Sequence, residues 1–266
     1  MIATARNLED LQGLVVQFGD QVCSVALDVT DVSAARAAVQ AAVTAFDRLD
    51  VVVNNAGYAN INSIEDMAED DFRAQVETNF FGVVNVTRAA LPVMRSQREG
   101  HIIQISSIGG RRASLGLSAY QSSKFAVEGF SEALANEVRP LGIRVTIVEP
   151  GGLATDWGGS SMHIGEIRDD YLPTIGAYIE ATRQHADSVR GDPAKAARAI
   201  LQIASEKEPP LRLLLGSDAV FLADLIASSR AVEDAKWRAL SMSTDFDGLP
   251  VFAETPIAKV LAATRG

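Results

Sequence analysis

Ser106-Ser107-Ile108-Gly109-Gly110-Arg111-Arg112-Ala113-Ser114-Leu115-Gly116-Leu117-Ser118-Ala119-Tyr120-Gln121-Ser122-Ser123-Lys124 is the stretch on which the reading of this chain turns. The apolar run His101-Ile102-Ile103-Gln104-Ile105 leads into it and reads as a buried strand. Two glycines break that strand. Ser118 then reads as a helix N-cap, and the segment to Arg139 as one long helix. Tyr120 and Lys124 are one turn apart and share a helix face. Ser107 falls at the carboxyl end of the strand, where an open α/β sheet presents its site.

Those three side chains suit one kind of chemistry. A phenol, with a pKa of about 10, is a poor base at neutral pH. An ammonium held one helical turn away favours the phenolate. Tyr120 can then exchange a proton with a carbonyl or alcohol oxygen, and the Ser107 hydroxyl can hold the same oxygen. The plainer reading makes Tyr120 a buried aromatic and Lys124 a solvated charge. The rest of the chain decides between them.

At 266 residues and 47% hydrophobic content, the chain can bury a full core. Its net charge of −10 argues against a general nucleic-acid surface. Cys23 is the only cysteine, so no intrachain disulfide is expected and a reducing, cytoplasmic setting fits. No apolar run approaches the ~18 residues of a membrane span, and no cationic-then-apolar leader opens the sequence, so no membrane role is expected. His101, His163 and His185 are scattered without ligand spacing, so no metal is expected.

In order along the chain, Met1 to Ala5 reads as a strand, Leu8 to about Gly19 as a helix and Val22 to Leu27 as a second strand. Asp31 or Ser33 caps an alanine-rich helix to about Phe46. Leu49 to Val53 is a third strand, and a long helix spans about Glu69 to Arg95. After the helix at Ser118 come a strand at Arg144 to Val148, a helix from Pro193 to about Ser205, a strand at Leu211 to Leu215 and a helix to about Ser229. Residues 156–191 read as a covering loop and 231–266 as a partly helical extension of a single domain, 1–266. Alternating strands and helices imply a parallel sheet covered on both faces, an α/β fold.

The motifs together resemble those of the short-chain dehydrogenase/reductases, NAD(P)-dependent enzymes with a Rossmann-type doubly wound sheet. Asn54-Asn55-Ala56-Gly57 stands where that family has N-N-A-G. Asn79 sits 28 residues before Ser107, and Ser107 13 before Tyr120, both family spacings. Pro150-Gly151-Gly152-Leu153-Ala154-Thr155 fits P-G-x-x-x-T. Within the family the chain is similar to bacterial oxidoreductases related to 17β-hydroxysteroid and retinol dehydrogenases. The resemblance implies a catalytic set of Asn79, Ser107, Tyr120 and Lys124. It implies cofactor contacts from Arg6, Asp28, Val29, Asn55, Ala56, Gly57, Tyr120, Lys124, Pro150, Gly151, Leu153 and Thr155. Arg6 follows the strand whose end reads the ribose; no acid stands there, so NADP(H) is expected over NAD(H). A small hydrophobic ketone or secondary alcohol is the expected substrate, lined by Ser107, Ile108, Leu115, Trp157 and Met162. A homodimer or homotetramer through the two long helices is the expected assembly.

Two departures from the family pattern stand out. Asp47 replaces the glycine usual before Arg48-Leu49-Asp50, a change of surface chemistry. The other is the start. The family opens with a strand, a glycine-rich loop and a helix, the first β-α unit, for which this sequence has no counterpart. The strands at Met1 and Leu49 would flank the missing one, and either stay unpaired or close up on each other. A shortened enzyme with weakened dinucleotide binding is one expectation from this; a non-catalytic binding or partner protein is the alternative.

Overall fold

The computed structural model describes residues 1–155, 162–184 and 189–263. The chain divides into two compact units, Met1–Val220 and Phe221–Gly266. The first holds β1 (Ile2–Ala5), α1 (Gln12–Phe18), β2 (Cys23–Ala26), α2 (Val32–Phe46), β3 (Val51–Asn54), β4 (Asn60–Ile61), α3 (Glu69–Val76), α4 (Gly82–Gln97) and β5 (Gly100–Ile105). It continues through α5 (Ser118–Val138), β6 (Ile143–Pro150), β7 (His163–Ile164), α6 (Ala177–Gln184), α7 (Pro193–Ser205) and β8 (Arg212–Leu215). Helix α8 (Ser217–Met242) begins in the first unit; the second holds its remainder and α9 (Pro256–Ala263).

Among the described residues every strand pair is parallel. A four-stranded sheet runs β3-β5-β6-β8, and β1 and β2 form a two-stranded one. Successive side chains on a strand face opposite ways. Ile102 and Ile103 on β5 are both fully buried, as are Ile147 and Val148 on β6. Helices therefore cover both faces, the doubly wound arrangement the β-α alternation implies. Each such side chain contributes about 1.5–3 kcal/mol by leaving water. Gly142 turns the chain from α5 into β6 at φ +79°, where any side chain would run into the Arg98 carbonyl.

Strands β1 and β3 form no ladder with each other. Helices α2 and α4 pack across the break instead. Leu27, Ala35 and Ala38 meet Val86 and Ala89, while Val39 joins Val52, Ala90 and Met94. Bringing β1 against β3 would cost that packing, so direct pairing of the two strands is not what forms.

Other differences from the sequence reading are local. The long helix expected from Glu69 is interrupted by a wide π-type turn at Glu77–Phe81. Such turns are often found at functional sites, and this one carries Asn79. Leu117, not Ser118, stands at the N-cap of α5 and makes no side-chain bond; Ser118 is the first helical residue. Asp31 does cap α2, accepting from the backbone of Ser33 and Ala34. Helix α8 runs past Ser229 to Met242, because no glycine or proline interrupts it. The two-residue strands β4 and β7 have no periodicity to read.

His101 is fully buried on β5, with Nε2 2.9 Å from the Thr146 hydroxyl. Burial first, then the Arg144 charge, lowers its pKa from 6.5 to about 4. The folded chain holds the ring neutral, while the unfolded chain takes up a proton below the ordinary value. This contribution to stability is therefore full above pH 6.5 and is lost, up to about 3 kcal/mol, as pH falls towards 4. Urea unfolding at neutral and acid pH should show a smaller acid loss for His101→Gln than for the unaltered chain. Equal losses would assign the acid sensitivity to other groups.

Candidate active site

Strand β5 ends at Ile105 and delivers Ser106 and Ser107 to the carboxyl edge of the sheet. Ser107 is extended, and its Oγ accepts from the Gly109 N–H at 2.9 Å, opening a short turn. Ser107 Oγ and the Tyr120 ring flank Gly109 together: a Cβ there would lie 3.3 Å from one and 3.5 Å from the other. Tyr120 lies buried in the first turn of α5. Burial pushes its phenol above the usual 10, and the Ser107 hydroxyl acts in the other direction. One turn on, Lys124 is also buried; its Nζ donates to the Ile105 carbonyl at 2.7 Å and lies 5.7 Å from the Tyr120 ring centre. Burial draws the ammonium from 10.5 down to about 8, and Glu128 opposes that. At neutral pH the pair is thus a protonated phenol beside a cation.

Asn79 joins this group from the π turn. It is fully buried, so the plain alternative of a helix-surface polar group does not hold. Its Oδ1 accepts from the Tyr58 N–H at 3.0 Å and its Nδ2 donates to the Tyr58 carbonyl at 2.8 Å. The amide thereby clamps the loop that follows β3. A Cβ on Gly57 in that loop would sit tightly, 3.1 Å from Asn79 Oδ1, and in ordinary contact with Lys124 Nζ at 3.7 Å. Behind the loop, Asn54 is spent on structure, donating to Thr87 at 3.1 Å and Gln104 at 2.8 Å.

A cavity of about 460 Å³ opens beside the loop, lined by Arg6, Asp28, Val29, Thr30, Ala56, Tyr58 and neighbouring residues. Asp28 is held below the usual carboxylate range, chiefly by the Thr30 N–H and hydroxyl and more weakly by the Arg6 charge. Burial, and then Asp71, pushes the Tyr58 phenol up, while Arg6 acts in the opposite sense. The Arg6 charge is therefore felt by side chains from two walls of the cavity.

After β6, Gly151 donates to the Leu215 carbonyl at 2.9 Å and Gly152 to Asp218 Oδ2 at 2.7 Å. Leu153 bridges to Gly191. Farther on, β7 pairs with β4, Arg168 ion-pairs with Glu65 and Asp66, and the Tyr171 hydroxyl donates to Glu65 at 2.8 Å. Ile61, Ile175 and Ile179 pack beneath, with Met162 and Leu117 against them. Residues 162–184 are thus fastened to the segment after β3.

The model of the short chain dehydrogenase family matches residues 1–163. The chain belongs to the short-chain dehydrogenase/reductase family. It is 51% identical over 245 residues to the oxidoreductase BOA17 of Botryotinia fuckeliana, covering 92% of this chain and 89% of that one. It is 38% identical over 198 residues to a 3-ketodihydrosphingosine reductase of Bacteroides thetaiotaomicron, covering 74% and 73%. A short-chain dehydrogenase from Streptomyces avermitilis superposes with a TM-score of 0.84 at 38% identity, covering 92% and 89%. The chain is an oxidoreductase of this family.

Of the residues the family resemblance points to, Ser107, Tyr120, Lys124, Asn79 and Gly57 are brought together. Arg6, Asp28, Val29 and Ala56 line the cavity, and Asn55 is exposed in the same loop. Pro150 ends β6, Gly151, Leu153 and Thr155 follow it, and Ile108 follows Ser107 directly. Leu115 is 48% exposed, Met162 packs into the fastening of residues 162–184, and Trp157 lies outside the described residues. Sequence reasoning missed Tyr58, next to the asparagine-rich motif, and Asp218, whose partner Gly152 is 66 residues away.

Proposed function

We propose that this family member interconverts a hydrophobic ketone and its secondary alcohol with NADP(H), Tyr120 transferring the proton. The observation that carries this is the meeting of Ser107, Tyr120 and Lys124 at one strand end, with Asn79 and Gly57 against them. Fit to a dinucleotide is supported at both ends. The cavity offers a guanidinium, a carboxylate and an exposed backbone loop for an adenosine, while the bare Gly57 beside Lys124 leaves room for close approach. Arg6, Asp28, Val29, Ala56 and Gly57 would hold the adenosine portion; Lys124, Leu153 and Thr155 would hold the nicotinamide portion.

A bound nicotinamide supplies or takes up the hydride. The chain's own residues do the rest. In reduction the Tyr120 hydroxyl gives its proton to the carbonyl oxygen as negative charge builds there. Ser107 donates to the same oxygen and orients it. The Lys124 ammonium stabilises the phenolate left behind. In oxidation the proton runs the other way. The apolar cluster around Ile61 and Ile175, with Met162, supports a hydrophobic substrate and a covering role for residues 162–184. Turnover of a panel of apolar ketones with NADPH and NADH tests the assignment.

Arg6 supports NADP(H) because its charge lies over the adenosine side of the cavity. Arg6→Asp should move the ratio of kcat/KM for NADPH over NADH by at least about tenfold towards NADH, about 1.4 kcal/mol. An unchanged ratio would remove Arg6 from phosphate recognition. Phe81 and Phe125 are 44% and 40% exposed on adjoining elements, which supports a dimer through the helices that carry them. Light scattering at micromolar concentration should give twice the chain mass. No helix among the described residues is long and apolar enough to cross a membrane, and a cytoplasmic enzyme is the setting we propose.

A further inference from the structure

The segment that follows β6 is held from two sides. On one side the Gly151 N–H donates to the Leu215 carbonyl at 2.9 Å. On the other, the Gly191 N–H donates to the Gly152 carbonyl at 3.0 Å and the Ala154 N–H to the Gly191 carbonyl at 2.9 Å. Within the segment the Thr155 N–H donates to the Leu153 carbonyl at 2.9 Å. To these backbone bonds Asp218, in the first turn of α8, adds one from a side chain: its Oδ2 accepts from the Gly152 N–H at 2.7 Å. The fit around that carboxylate is close. A Cβ on Gly151 or on Gly216 would run into it, and Gly216 stands at φ +106°, where a side chain is strained as well. Its Oδ1 is buried and takes no hydrogen bond from the described residues.

We infer that Asp218 is a positioning residue for the nicotinamide end of the site: its carboxylate fixes Gly152, and through it the course of Leu153 and Thr155. The inference rests on the cofactor reading of those two residues given above. Two consecutive glycines give the segment wide conformational freedom, so it needs an outside anchor to keep one course. Asp218 supplies that anchor one residue before Leu153. Two plainer roles are open to the carboxylate. An acid in the first turn of a helix interacts favourably with its positive end, but that needs charge and no bond to Gly152. The bond also adds to stability, yet burying Oδ1 without a partner offsets much of that gain. The net effect on the fold is therefore small, while the constraint on the backbone beside Leu153 is direct.

The test compares Asp218→Ala, Asp218→Asn and the unaltered whole chain by amide hydrogen exchange and by calorimetric titration. Asp218→Ala should speed exchange at Gly152, Ala154 and Thr155 and weaken NADPH binding, each by about fivefold. Adenosine 2′,5′-bisphosphate, which carries only the adenosine end of NADPH, should keep its affinity within about twofold. Asp218→Asn loses the charge but keeps an acceptor for the Gly152 N–H, and should hold exchange and NADPH affinity within about twofold of the unaltered chain. Unchanged exchange in Asp218→Ala, an equal loss for NADPH and the bisphosphate, or an asparagine variant as weak as the alanine one would each overturn the inference, whatever the change in Tm. An unaltered chain that does not bind NADPH would overturn the cofactor reading and this inference with it, a pattern distinct from those three.

Discussion

Tyr120→Phe is expected to lower kcat by roughly 10³-fold with any ketone the chain accepts, while NADPH affinity stays within about threefold. The substitution removes one oxygen from a side chain that is otherwise buried and packed in the first turn of α5. Its ring still fills its place, and Lys124 keeps its bond to the Ile105 carbonyl. What is lost is the phenolic hydroxyl and its proton. Stopped-flow turnover and NADPH fluorescence titration separate the two effects. A variant that retains most of its kcat would dismiss Tyr120 as the proton donor.

The second large effect concerns stability. Glu149 is fully buried on β6, and Arg111 meets it with two parallel bonds, 2.5 Å from Nε and 2.6 Å from Nη2. Removing one partner of a buried pair leaves a charge without compensation, which costs about 3–5 kcal/mol. Arg111→Gln should therefore lower Tm by about 6–20 °C, at the 2–4 °C per kcal/mol usual for chains of this size. The pair as such is worth much less than its breakage suggests, because both ions were desolvated to form it. The double variant Arg111→Met with Glu149→Leu should recover most of the loss. A fall of less than about 1 kcal/mol in the single variant would contradict this account of the pair.

Much of this was legible in the residues because it is local. The β-α alternation follows from apolar runs and their breaks. Tyr120 and Lys124 share a face by spacing alone, and Ser107 falls at a strand end by the position of Ile105. What stayed hidden depends on distant partners. The π turn at Asn79 follows from its two bonds to Tyr58, 21 residues away, and no local propensity specifies it. The fastening of residues 162–184 rests on Arg168 and Glu65, 103 apart, and on two strands too short to show a period. Ser118 has the right chemistry for a cap, yet the chain enters α5 from Leu117 at φ −110° and ψ 29°, outside the usual cap geometry. The spacing of β1 and β3 is set by small residues of α2 and α4, whose partners no single segment reveals.

The central claim is that Tyr120 completes a hydride transfer between a nicotinamide and a carbonyl carbon. Its most direct measurement uses NADPH deuterated on the transferring face, an apolar ketone that the chain reduces, and mass spectrometry of the alcohol formed. The account predicts one deuterium at the carbinol carbon with the unaltered chain and none above background with Tyr120→Phe at matched NADPH occupancy. Full deuterium transfer by Tyr120→Phe, or reduction by the unaltered chain without label at that carbon, would contradict it.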